Sequence, residues 1–166
     1  MHCIAITGTP GTGKSKVAKK FASMIGYNYV DLNKEIVKYK LYSSYDRKRK
    51  TYVADMSKIS KFVRLFNSKT VFDSHLSHLL KCDTVFVLRC SPEVLLSRLK
   101  RRHWSKQKIK ENYEAELISL ISYEARRKHK KVFDVDATSK TISDIARKLV
   151  LLMKKRSNKP IDWLAI

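Results

Sequence analysis

Residues 3–15 read CIAITGTPGTGKS, and this stretch decides the fold. Its first five residues are apolar or β-branched and stop at a glycine, as a buried strand of a parallel sheet does. From Lys14 to Ile25, apolar side chains recur at the spacing of an amphipathic helix. The order strand, glycine loop, helix predicts the opening of an α/β domain.

The loop between strand and helix fits the pattern G-x-x-x-x-G-K-[ST] at every fixed position, from Gly8 to Ser15. Gly11 and Gly13 let backbone N–H groups approach phosphate oxygens at a helix N-terminus, which favours anions. Lys14, expected to be an exposed loop residue, would bridge the β- and γ-phosphates, and the Ser15 hydroxyl would ligate Mg²⁺. The loop therefore predicts a nucleotide site for ATP.

Strand and helix patterns alternate along the rest of the chain and predict a three-layer, doubly wound domain with a five-stranded parallel sheet, spanning residues 1–166. After the first strand we expect strands at 27–30, 70–73, 83–88 and 132–135. We expect helices at 14–25, 32–39, 92–102, 105–131 and 142–153, with Asp31 as the cap of the second. A further helix is indicated by Ile59, Phe62, Val63 and Phe66, which would share one helical face. Residues 40–51 are expected to form a polar, basic loop.

Asp73 and His75 follow the third predicted strand in sequence order, at the sheet edge where ligands bind in such folds. Asp73 is a candidate for the second coordination shell of the Mg²⁺ ion, and His75 for facing the γ-phosphate or an attacking water. A solvated loop histidine remains the alternative for His75, and we expect no chemistry from His78.

Arg98, Arg101 and Arg102 share one face near the end of a predicted helix. Such arginines can close over transferring phosphates and stabilise their charge. We favour Arg102, which is nearest the following turn, while a solvated basic face remains the alternative for the other two.

The chain of 166 residues carries a formal net charge of +21 and three cysteines. The charge predicts a polyanionic partner such as RNA, and the alternative is a set of merely solvated basic faces.

The cysteines at 3, 82 and 90 indicate neither a disulfide framework nor a zinc site. No run reaches the roughly 18 apolar residues of a membrane span, so we expect a soluble, cytoplasmic protein. The tail at 157–166 is either docked or a partner motif.

These stretches together resemble the adenylate kinase 6 family, also called the Fap7 or CINAP family. The resemblance is carried by the phosphate loop, by Asp73-Ser74-His75, by residues 88–99 and 102–116, and by Asp162-Trp163-Leu164. It implies adenylate kinase and ATPase activities on ATP and AMP with Mg²⁺. It also implies a part in small-subunit rRNA maturation on the pre-ribosome, through binding of the ribosomal protein uS11.

The resemblance also implies roles for single residues. Lys14, Asp73, His75 and Arg102 would be catalytic, Ser15 and Asp73 would hold the metal, and Gly11, Thr12, Gly13, Lys14, Ser15, Lys16 and Arg102 would contact ATP. A lid would run over 102–112 and a monophosphate-binding segment over 30–53. Lys16 replaces a hydroxyl residue common in the family, His103 replaces a glycine, and Lys34 is the only counterpart of the basic residue that would hold the acceptor phosphate.

Two hypotheses from different classes stay open at this point. The first is an ATP-dependent phosphotransferase and ATPase that serves ribosome assembly. The second is an assembly chaperone in which the nucleotide acts only as a switch. A kinase of another small acceptor, such as shikimate or a nucleoside, would share the fold, but the sequence identifies no pocket for such an acceptor.

Overall fold

The computed structural model describes residues 2–165 and places five parallel strands in one sheet. The spatial order is β2-β5-β1-β6-β7, so the strand that leads into the glycine loop lies at the centre. The strands are β1 Cys3–Thr7, β2 Asn28–Asp31, β5 Thr70–Asp73, β6 Thr84–Arg89 and β7 Val132–Asp136, and a separate hairpin is formed by β3 Tyr42–Asp46 and β4 Thr51–Ala54. The helices are α1 Lys14–Ile25, α2 Leu32–Lys38, α3 Met56–Val63, α4 Pro92–Lys100, α5 Lys106–Leu117, α6 Leu120–Lys128 and α7 Ile142–Leu152.

The two-residue period of the strands divides the core between the two faces of the sheet. Ile4 and Ile6 of β1 face α1 and α7, where they join a cluster that contains Phe21 and Leu149. Ala5 faces the opposite side, toward α6. Phe21 is fully buried, and its truncation to alanine would cost roughly 3–5 kcal/mol of the free energy of unfolding. Both faces of the sheet are therefore covered, as a doubly wound domain requires.

The expected basic loop at 40–51 is wrong, because most of it belongs to the antiparallel hairpin β3–β4. Tyr42 and Tyr45 of β3 both pack against Tyr52 of β4, with ring centres 4.3 and 5.1 Å from that of Tyr52. Tyrosine pairs across strands stabilise such a hairpin. The register shifts between Tyr42 and Ser44, so β3 lacks the two-residue alternation that predicts a strand.

The expected helix at 105–131 is also wrong, because it is two helices. Ser119 has φ 58°, a left-handed conformation that an α-helix cannot contain, and it separates α5 from α6. Ser105 caps α5 as expected, with its hydroxyl accepting a hydrogen bond from the Lys108 N–H at 3.2 Å. Helix α4 ends at Lys100 rather than at 102, and α3 ends at Val63.

The structure also answers the expectations about the cysteines and about the tail at 157–166. Cys3 and Cys82 form a disulfide, contrary to the expectation from cysteine spacing, because β1 brings Cys3 beside the segment that precedes β6. The tail is docked, since Asn158 and Ile161 both bond to Asp134 of β7. Within residues 2–165, no helix is long and apolar enough to cross a membrane.

Candidate active site

A cleft of about 700 Å³ opens at the carboxyl ends of the central strands. This edge is where ligands bind in open parallel sheets. Its walls come from the glycine loop, the segment after β5, the hairpin, and the segment that joins α4 to α5. The polar, charged and aromatic residues that line it include Lys14, Ser15, Arg49, His75, Arg102, Trp104, Lys108 and Glu111.

The glycine loop is held in shape by contacts on both sides. Gly8 and Gly11 have φ of 140° and 104°, and a Cβ on them would lie 2.3 Å from the Leu88 carbonyl oxygen and 2.8 Å from the Leu95 side chain. These two glycines are therefore required by packing against β6 and α4 as well as by any phosphate. Gly13 has φ 89° with open space where its Cβ would be, so only its backbone conformation requires glycine.

Lys14 is the first residue of α1 and is only 9% exposed, which corrects the expectation of an exposed loop lysine. Burial lowers the pKa of Lys14 to about 8, and the nearby Asp73 carboxylate opposes that shift. Ser15 is exposed to the cleft beside it. Lys16 is also exposed but does not line the cleft.

Asp73 ends β5 and is fully buried. Its Oδ2 atom accepts a hydrogen bond from the Tyr29 hydroxyl at 3.0 Å, whereas Oδ1 has no partner among the described residues. Burial raises the pKa of Asp73, and the Ser15 hydroxyl, the Lys14 ammonium and the Tyr29 hydroxyl each act in the opposite direction. A buried carboxylate oxygen without a partner is costly unless something binds it.

The unpartnered oxygen and the Ser15 hydroxyl fit the requirements of a Mg²⁺ ion. Mg²⁺ prefers oxygen ligands, and it is commonly held by one or two protein groups together with substrate phosphates. Asp31 lies beside Asp73 in the register of β2 and β5, which adds a second negative charge at this edge. The residues present therefore fit the metal that the glycine loop implies.

The two histidines after β5 have different surroundings. His75 is exposed to the cleft, and the protein groups that surround it there, together with the Lys14 charge, lower the pKa of its imidazole below the usual range. The ring is therefore neutral at pH 7. His78 is buried, with Nδ1 3.1 Å from the Thr7 hydroxyl and Nε2 2.9 Å from a Glu124 carboxylate oxygen. Those contacts give His78 a structural position between β1 and α6.

The three arginines of the expected flap separate into different roles. Arg102 lines the cleft and its guanidinium lies 5.3 Å from the centre of the Trp104 ring. Arg98 donates hydrogen bonds to the carbonyl oxygens of Gly11, at 3.3 Å, and Thr138, at 2.9 Å. It therefore clamps the glycine loop to the loop after β7. Arg101 is exposed and does not line the cleft.

Arg49 is one of two cleft cations, with Lys108, that the sequence did not single out as site residues. It lies in the turn of the hairpin and donates a hydrogen bond to Glu111 Oε1 of α5 at 3.1 Å, so the hairpin reaches the opposite wall of the cleft. Lys34, the expected counterpart, has a side chain 76% exposed and does not line the cleft. The tyrosines on both sides of the turn at 47–50 were the available signal.

Comparison with known proteins places these features in a family. A family model described as an AAA domain matches residues 4–119. A protein of Methanocaldococcus jannaschii named "Putative adenylate kinase" is 34% identical over 165 residues, covering 96% of this chain and 92% of that protein. A protein of the same name from Pyrococcus abyssi is 39% identical over 165 residues, covering 96% and 90%.

Solved structures agree in fold. A shikimate kinase from Bacteroides thetaiotaomicron superposes with a TM-score of 0.65 at 15% identity, covering 93% of this chain and 99% of that one. A gluconokinase from Sinorhizobium meliloti gives 0.60 at 17% identity, covering 92% and 91%. The predicted α/β fold with a five-stranded parallel sheet is confirmed. The chain belongs to the family of P-loop proteins that includes these archaeal relatives named as adenylate kinases.

Proposed function

We propose that this protein transfers the γ-phosphate of ATP to AMP, with hydrolysis of ATP as a second activity. One observation carries the proposal. A single cleft is lined by the loop residues Lys14 and Ser15 and by two arginines, Arg49 of the hairpin and Arg102 of the segment after α4. The buried Asp73 interacts with both loop residues, and its Oδ1 atom has no partner among the described residues. Phosphoryl transfer needs this combination, because its catalysis is mainly positioning and neutralisation of charge.

The donor half of the proposed site is built on α1. Backbone N–H groups of residues 11–15 would surround the β-phosphate, and the Lys14 ammonium would contact the β- and γ-phosphates. Because Lys14 is already withdrawn from water, its charge acts on phosphate oxygens with little screening. Ser15 and Asp73 would hold Mg²⁺, which supplies further neutralisation of phosphate charge when bound.

The acceptor half is proposed to lie below the hairpin. Arg49 presents a planar guanidinium that can bind a phosphate through two N–H groups, which a lysine cannot do. The relatives' name makes AMP the first acceptor to test. Arg49 would leave Glu111 to bind the acceptor phosphate, and Arg102 would act from the other side on the phosphoryl group in transfer.

His75 is proposed to favour hydrolysis over transfer. Its neutral imidazole can accept a hydrogen bond from a water at the γ-phosphate, which a charged imidazolium cannot do. AMP would instead be positioned by its own binding groups. His75 therefore matters most when water is the acceptor.

The narrower assignment to the adenylate kinase 6 family, with uS11 and pre-ribosomal RNA as partners, is part of the same proposal. The charge of +21 supports it, since the cleft accounts for only a few cations. Arg126 and Lys131 are held by Asp134 and by the Met153 carbonyl. The exposed basic residues Arg127, Lys128, Lys130 and 154–156 lie outside the cleft and are available to a polyanion. The alternative, a nucleotide-switched assembly chaperone, would use the same surface without transferring phosphate.

One assay separates these functions. Purified protein is incubated with ATP and Mg²⁺ alone, with AMP, with a panel of other nucleoside monophosphates, and with shikimate, and ADP and inorganic phosphate are both measured. We expect AMP to raise ADP formation without raising inorganic phosphate. ADP and phosphate formed in equal amounts under every condition would support the chaperone alternative and contradict the kinase.

A further inference from the structure

A network of buried charges lies behind the glycine loop, outside the cleft. Arg89, at the end of β6, is 1% exposed and all five of its N–H groups have acceptors. They bond to the Glu116 carboxylate and carbonyl, the Asp134 carboxylate, the Ser119 hydroxyl and the Ile161 carbonyl, over 2.7–3.0 Å. This network joins two strands, the break between α5 and α6, and the tail.

Glu116 connects this network to the glycine loop. Its Oε2 accepts the Thr9 hydroxyl at 2.6 Å. Its Oε1 accepts N–H groups from Arg89 at 2.7 Å, from Cys90 at 3.1 Å and from the Trp163 indole at 3.1 Å. One buried carboxylate, 2% exposed, therefore holds the loop through one oxygen and the tail through the other.

Thr9 passes this restraint to the part of the loop that would contact phosphate. The Thr9 carbonyl accepts hydrogen bonds from both the N–H and the hydroxyl of Thr12, at 3.2 and 3.0 Å. Thr12 immediately precedes Gly13, the N-cap residue of α1. A shift of Thr9 would therefore change the direction of the N–H groups at 12–14.

The tail is attached to this network by more than one bond. The Ile161 N–H donates to Asp134 Oδ2 at 3.0 Å, and its carbonyl accepts from Arg89 at 2.8 Å and from Ser119 at 3.1 Å. The Trp163 ring lies over the Arg89 guanidinium at 5.8 Å. Residues 158–163, which we call the strap, are thus bonded to Asp134 and Arg89 on one side of the network and to Glu116 on the other.

We propose that the strap is a positioning element for the nucleotide site, which acts through Glu116 and Thr9 to preorganise the phosphate loop. The inference rests on the proposed function, since it assumes that the loop binds ATP. The mechanism is reciprocal. A docked strap raises ATP affinity, and bound ATP must raise strap docking by the same factor.

The first test compares three variants in steady-state kinetics. Trp163→Phe keeps the ring but removes the N–H that reaches Glu116, and Thr9→Val removes the hydroxyl at the other end. We expect each to raise the KM for ATP about fivefold, the low end of typical coupling between sites, with kcat nearly unchanged. Leu164→Ala is the matched control, because Leu164 is 67% exposed on the same tail and has no bond to Glu116.

A double variant and a rescue variant test whether the strap and Thr9 are coupled through Glu116. If both ends act through Glu116, the double variant should lose less ATP affinity than the product of the two single losses. Thr9→Ser restores the hydroxyl and should recover most of the affinity lost in Thr9→Val. Independent, multiplicative effects would overturn the route through Glu116.

The decisive readout is hydrogen exchange of the Ile161 amide in the wild-type protein, with and without a non-hydrolysable ATP analogue and Mg²⁺. We expect the analogue to slow exchange about fivefold, and this slowing to disappear in Thr9→Val. Exchange that is unchanged although the analogue binds would overturn the strap proposal. Failure of the wild type to bind the analogue at all would instead overturn the proposed function.

Discussion

Replacement of Asp73 by asparagine should separate the stability of this protein from its activity. The carboxylate is fully buried, Oδ1 has no partner among the described residues, and burial raises its pKa. A raised pKa means that the folded protein disfavours the charged form relative to the unfolded chain. Above the unfolded pKa the ionised carboxylate therefore costs stability, and the neutral amide of Asp73→Asn avoids that cost.

The expected size of each effect follows from the same contacts. An unsatisfied buried group costs roughly 1–3 kcal/mol when it is neutral and more when it is charged, and the amide of the variant stays buried, so only the extra cost of the charge is recovered. The variant should therefore unfold at a higher temperature, by about 2–4 °C for each kcal/mol recovered. Replacement of a group that only supports the ligands of a metal already costs about 10–100-fold in metal affinity or activity. We therefore expect Mg²⁺-dependent turnover to fall by that factor, while affinity for ATP without Mg²⁺ changes little.

The assay is thermal unfolding together with ADP formation over a Mg²⁺ titration. Asp144→Asn is the control, because this exposed carboxylate on α7 lies outside the cleft. An unchanged Mg²⁺ dependence in Asp73→Asn would return Asp73 to a purely structural position. A lower unfolding temperature would refute the argument that its ionised form is disfavoured by burial.

Three further predictions concern other cleft residues. Lys14→Met should abolish detectable turnover yet keep the fold. In the wild-type protein, kcat/KM for ATP should fall above about pH 8, because Lys14 then loses its proton in the protein without nucleotide. A kcat/KM that stays constant up to about pH 9.5 would contradict the role of a charged Lys14 in phosphate binding. His75→Ala should lower ATP hydrolysis about 100-fold and transfer to AMP much less, so parallel losses would make it a shared phosphate-site residue. Arg49→Ala should raise the KM for AMP by about tenfold or more, whereas Lys34→Ala should leave that KM unchanged. A KM for AMP that rises in Lys34→Ala but not in Arg49→Ala would refute placement of the acceptor below the hairpin.

Much of the fold could be predicted because the signals are local. The β1 strand and the loop at 8–15 are contiguous in sequence, and the two-residue and 3.6-residue periods place the remaining core strands within one residue of their observed ends. The errors occur where tertiary contacts override local pattern. Ser119 interrupts a continuous helical pattern because its hydroxyl and the Glu116 carbonyl serve the buried Arg89.

The candidate site was predicted in part for the same reason. Asp73 is the last residue of β5, and Lys14 and Ser15 follow β1 after the glycine loop. Because β1 and β5 are parallel neighbours, the topology of the sheet is enough to bring the three residues together. Arg49 could not be placed, because its position depends on the hairpin and on an ion pair 62 residues away in sequence with Glu111. Arg98 looked like a flap residue, but its partners are backbone carbonyls that no pattern in the sequence reveals.

The central claim is that the cleft transfers the γ-phosphate of ATP to AMP rather than only to water. Its most direct measurement is the fate of a label in the γ-phosphate of ATP during turnover with Mg²⁺ and AMP. The account predicts that most of the label appears in ADP, and that Arg49→Ala shifts it toward inorganic phosphate. Label found only in inorganic phosphate, with AMP present at saturating concentration, would contradict the account.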